Sequence, residues 1–82
     1  MLEFITFLIK ELVNYPESVE ISTKEEDGGT TYVVNVHPED MPLIIGKGGR
    51  TIKGLRNLAR AKAIKDHLRV NIELQDNLNA QI

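Results

Sequence analysis

The sequence predicts an α+β domain of two layers, a three-stranded mixed sheet packed on three helices in the order α-β-β-α-α-β. Three observations predict it. Residues 2–14 and 50–67 carry apolar side chains at helical spacing, whereas residues 19–24, 32–37 and 70–75 alternate apolar with polar. The first two alternating runs flank Asp27-Gly28-Gly29, a hairpin turn signal. The second and third are separated by two helical segments, and a right-handed crossover makes such strands parallel neighbours. With 82 residues, 41% of them hydrophobic, the chain has material for one small core and no more. Residues 1–75 are expected to form that domain and residues 76–82 a frayed tail.

Taken in order, the first helix places Leu2, Ile5, Leu8, Ile9 and Leu12 on one face, which should meet the core. Phe4 and Phe7 fall off this stripe. They either close the edge of the core or form a surface for a protein partner, and the pattern leaves both open. Tyr15, which precedes Pro16, is pushed out of the α region and ends the helix. Val19, Ile21 and Thr23 should point inward from the first strand, and Tyr32, Val34 and Val36 from the second. Pro38, Glu39 and Asp40 suit the first turn of a short helix over residues 38–45. In the long helix that follows, Ile52, Leu55, Ala59 and Ala63 share the face turned to the sheet, with Lys53, Arg56 and Arg60 in a stripe beside it. Lys62 and Lys65 lie on the other side and serve general electrostatics. Val70, Ile72 and Leu74 form the buried face of the last strand.

The two central helices are joined by Ile44-Ile45-Gly46-Lys47-Gly48-Gly49-Arg50-Thr51-Ile52. Three glycines permit positive φ and strip the turn of side chains, so another backbone can approach closely. The amides entering the helix at Gly49 or Arg50 should lack carbonyl partners and, with the helix dipole, offer a phosphate site. Lys47 and Arg50 add cations at the same spot. Other glycine loops fail on spacing. A Walker A loop would need glycine where Met41 stands and Ser or Thr where Gly48 stands, and a dinucleotide fingerprint would need glycine at Thr51.

This stretch resembles the I-I-G-x-x-G-x-x-I signature of the KH domain, with every signature position matched. The element order is similar to the type II, prokaryotic form, and the resemblance spans residues 2–75. It looks most like the small bacterial RNA-binding proteins made of a single KH domain. The resemblance implies binding of about four nucleotides of single-stranded RNA between the G-x-x-G loop and the sheet. Gly46, Lys47, Gly48 and Gly49 would hold the sugar-phosphate backbone. Ile45 and Ile52 would form the apolar floor while also being core residues. Arg50, Lys53 and Arg56 would add phosphate contacts, with Arg60 beside them, and the strand over residues 32–37 would form the opposite wall. The family further implies a cytoplasmic RNA chaperone or post-transcriptional regulator, linked to cell shape and size. It would act as a homodimer or with a larger RNA-binding partner.

Charge is distributed to match. The formal net charge is −2, yet residues 46–70 hold eight of the ten basic residues against the single acid Asp66. Such asymmetry marks a footprint for a polyanion. The same chain offers little to an enzyme. There is no cysteine, His37 and His67 lie in separate elements without a carboxylate at ligand spacing, and the run Glu25-Glu26-Asp27 reads as a soluble hairpin tip. No cofactor and no metal site are expected. The apolar run over residues 1–13 is broken by Glu3, Lys10 and Glu11, so neither a signal peptide nor a membrane span is expected. The competing class is a protein-interaction module that keeps the KH fold without significant RNA affinity, using Phe4 and Phe7.

Overall fold

A computed structural model describes residues 1–26 and 28–75. Asp27 of the expected turn and the expected tail over residues 76–82 lie outside the described residues. The chain forms α1 (Leu2–Leu12), β1 (Glu20–Glu26), β2 (Gly29–Asn35), α2 (Met41–Ile45), α3 (Arg50–Lys65) and β3 (Val70–Leu74). Short 3-10 turns at Pro16–Ser18, Pro38–Asp40 and Lys47–Gly49 connect them.

The sheet order is β1-β2-β3. β1 pairs antiparallel with β2, from Glu20 opposite Asn35 to Glu26 opposite Gly29. β2 pairs parallel with β3, from Thr30 opposite Val70 to Val34 opposite Leu74. The crossover and hairpin read from the sequence therefore hold. Tyr32, Val34, Val36, Val70 and Ile72 point from the sheet into the core, where Ile52, Leu55, Ala59 and Ala63 of α3 meet them. Burial, then the Glu25 carboxylate, pushes the Tyr32 phenol above its ordinary value and keeps it neutral there.

Helix α1 is shorter than its periodicity predicted. It stops at Leu12, because the amides of Asn14 and Tyr15 donate instead to the Asp40 carboxylate, at 3.1 and 2.9 Å. Asp40 is fully buried and so ties the end of α1 to the start of α2. Beside it, His37 accepts from the Glu39 amide through Nδ1 at 3.1 Å and stacks on Tyr15 with ring centroids 4.1 Å apart. Only Ile5 and Ile9 of the α1 stripe are fully buried, with Leu8 partly so. Leu2 and Leu12, expected in the core, are largely exposed because the helix ends project past so small a core. Thr23, also expected inward, is exposed on the edge strand β1, whose residues are exposed apart from the half-buried Ile21.

Helix α3 ends at Lys65 rather than at His67. His67 takes a positive φ of 59°, and the Leu68 amide reaches back to the Ala63 carbonyl at 2.7 Å. This Schellman-type turn reverses the chain so that β3 runs back along α3.

Candidate nucleic-acid interface

The turn between α2 and α3 is a single 3-10 turn enclosed by glycines. Gly46 caps α2 with φ 76° and ψ 174°, a region that only glycine occupies readily. A Cβ there would lie 2.7 Å from the Thr51 Cβ and 2.8 Å from its amide nitrogen. Gly48 and Gly49 also have positive φ, but a Cβ at either would meet nothing within 4 Å. Gly46 is thus demanded by the protein's own packing, whereas Gly48 and Gly49 leave an open, Cβ-free surface.

One expectation about this turn fails. The amides of Gly49 and Arg50 are not without partners: Gly49 donates to the Gly46 carbonyl at 3.2 Å, and Arg50 donates to that of Lys47. The turn closes on itself because Gly48 and Gly49 take left-handed rather than extended geometry. Its attraction for an anion therefore rests on the dipole of a 16-residue helix, on close approach and on side-chain cations. Lys47, Arg50 and Lys53 are exposed, and none forms an ion pair among the described residues.

Arg56 is placed differently from the others. It is half-buried, and its Nε–H donates to the Ile72 carbonyl at 3.2 Å, tying α3 to the outer edge of β3. The groove wall facing α3 is therefore β3. Of the strand over residues 32–37, expected in that role, residues 32–35 belong to β2, which is central and bonded on both sides. Connectivity held the signal, since a hairpin on one side of β2 and a parallel crossover on the other leave β3 at the edge. Ile45 also departs from expectation. It is 38% exposed while Ile44 is fully buried, so Ile45 lies at the surface beside the loop and contributes nothing to the core. Ile52 is buried in the core, as expected.

The two phenylalanines separate. Phe4 packs against the core, with Lys62 Nζ 5.6 Å from its ring centroid, whereas Phe7 is 61% exposed. Lys62 also pairs with Asp66 at 3.5 Å. Between α1 and α3 a shallow, mostly apolar cleft of about 310 Å³ is lined by Leu8, Leu12, Leu55 and Leu58, and the missing side chain of Gly54 keeps it open. Among the described residues no cluster of His, Cys, Asp or Glu could hold a metal ion, and no helix is long and apolar enough to cross a membrane.

Comparison with known proteins agrees with this fold. Residues 2–74 match the family described as KhpA/KhpB, KH domain. The RNA-binding protein KhpA of Listeria monocytogenes serovar 1/2a is 39% identical over 74 residues, covering 90% of this chain and 97% of that protein. The RNA-binding protein KhpA of Chlamydia pneumoniae is 38% identical over 76 residues, covering 93% and 97%. Among solved structures, Aquifex aeolicus Era bound to GDP.AlF4- superposes with a TM-score of 0.66 over 88% of this chain and 28% of that one. At 23% identity, that likeness speaks to the fold alone. The α-β-β-α-α-β order with its mixed sheet is the type II KH arrangement. On the family match and these full-length relatives, the chain belongs to the KhpA/KhpB KH-domain family.

Proposed function

We propose that this protein binds single-stranded RNA with the Gly46-Lys47-Gly48-Gly49 loop. One observation carries the reading: Gly48 and Gly49 present a Cβ-free turn, open to solvent, between exposed Lys47 and Arg50 at the head of α3. A sugar-phosphate backbone needs both features, close approach and fixed positive charge. Lys53 extends the charged rim, Ile45 offers exposed apolar surface beside the turn, and Arg56 bridges to the β3 wall. The relatives carry RNA binding in their names, and the protein is not an enzyme. Acting in the cytoplasm as an RNA chaperone or post-transcriptional regulator suits a module of this size.

Affinity should be modest and strongly salt-dependent. Lys47, Arg50, Lys53 and Arg56 allow three or four phosphate contacts, and at roughly 0.7 per phosphate the slope of log K against log salt is about −2 to −3. Fluorescence anisotropy with a labelled oligouridylate across a salt series measures it. A slope near zero would remove the phosphate clamp. Among the described residues no exposed aromatic lines the α3–β3 groove, so sequence preference by stacking should be weak.

A modest single module gains from pairing, which raises effective concentration without new contacts. The exposed Phe7 and the α1–α3 cleft favour a homodimer, or a heterodimer with a larger RNA-binding protein, through this side of the molecule. Phe4 takes no direct part in that surface, because it is committed to the core. Phe7→Glu should lower the sedimentation mass from dimer to monomer with little change in melting temperature. An unchanged mass would exclude Phe7 from any self-association.

A further inference from the structure

Beyond Arg56 the space between α3 and β3 does not close. Because β3 runs back along α3, Arg56 meets Ile72, and one helical turn further on Arg60 shares a cleft with Val70. That cleft holds about 500 Å³ and lies where the last turns of α3 face the start of β3. Its walls combine two kinds of surface. Arg60 and Arg69 are exposed cations without an ion pair among the described residues. Ile64 and Leu68 are apolar yet 75% and 51% exposed, and the polar Asn71 lines the cleft between strand and turn. Among the described residues Glu26 is the one acid on the rim, and Lys24 lies 3.9 Å from it.

We infer that the RNA strand continues past the loop into this cleft, which takes one further nucleotide. The inference rests on the RNA-binding reading above and extends its footprint. From Lys53 to Arg60 the helix rises about 10 Å, so Lys53, Arg56 and Arg60 form a rail that leads from beside the loop to the cleft. Continuity with that rail and the excess of positive charge select a nucleotide over an apolar peptide. Its phosphate lies between Arg60 and Arg69. Its base covers Ile64 and Leu68, which otherwise stay in water. The Asn71 amide, both donor and acceptor, can meet any base edge, so the subsite extends the footprint without demanding a particular base.

Oligouridylates of four and six nucleotides, titrated against the full chain by anisotropy, test this. The six-mer should bind about tenfold tighter, roughly the gain from one charge-assisted contact with apolar cover. Its salt slope should be steeper by about 0.7, one added phosphate. In Ile64→Ser with Arg69→Gln the four-mer affinity should stay, and the advantage of the six-mer should fall to what its extra binding registers supply. Arg69→Gln alone, which keeps the Cβ that abuts Gly29, should still remove the added salt slope. An advantage that persists in the double variant would overturn the cleft as a subsite. So would equal binding of both lengths by the wild type, if charge reversal in the loop still abolishes both. Wild-type binding that is indifferent to loop charge would instead overturn the RNA-loop reading, and the cleft with it.

Discussion

Replacing Lys47 and Gly48 together by aspartate should weaken binding of a short single-stranded RNA by at least about a hundredfold while leaving the fold intact, a loss equivalent to about 2.7 kcal/mol. Lys47 has no ion pair to lose among the described residues, and a Cβ at position 48 meets no atom within 4 Å. Aspartate tolerates the left-handed conformation better than most residues, and the strain there is about 1–2 kcal/mol. In a domain of this size each kcal/mol corresponds to a fall of about 4–8 °C in Tm. The two measurements should therefore separate: anisotropy loses its signal while circular dichroism still shows a cooperative, modestly lowered melt. Retained affinity would place the RNA elsewhere. No affinity in either protein would favour the protein-interaction reading.

Gly46→Ala should do the reverse and damage the fold itself. The backbone at φ 76° and ψ 174° is a region essentially reserved for glycine, with strain of about 1–3 kcal/mol for other residues. The new methyl would also run into Thr51, side chain and amide nitrogen together, and overpacking of this kind adds about 1–3 kcal/mol. Because backbone is among the struck atoms, a rotamer change of Thr51 does not relieve the contact. Against a total stability of about 4–12 kcal/mol for a chain of this length, the sum is large. Urea denaturation should show Gly46→Ala losing about 3–5 kcal/mol, whereas Gly48→Ala and Gly49→Ala each lose about 1–2 kcal/mol. Equal losses at all three positions would contradict the division between one packing glycine and two that face open space.

That division shows where reading the sequence stops. Gly46 and Gly49 are both fixed positions of the motif and Gly48 a variable one, so spacing does not single out Gly46. What separates Gly46 from the other two is Thr51, five residues away, folded back over the turn. Ile44 and Ile45 are a similar case. Both are apolar and adjacent, and only the path of α2 decides that Ile44 enters the core and Ile45 faces outward. Phe4 and Phe7 share a helix and lie off its apolar stripe, yet Phe4 finds core and Lys62 to cover it while Phe7 does not. Asp40 was expected to serve only as a charge at a helix start. Its buried carboxylate instead accepts two amides from the end of α1, a bond spanning a quarter of the chain or more.

The sequence alone determined the element order, the antiparallel hairpin with its parallel neighbour, the buried face of α3, the glycine turn and the basic segment leading from it. Each is written in spacing along a single element, or in the number of helices between two strands. Tertiary structure alone decided that Arg56 is anchored on the β3 wall and that the turn's amides bond within the turn. These depend on which elements become neighbours in space, and periodicity reports only how one element presents its faces, not what those faces meet.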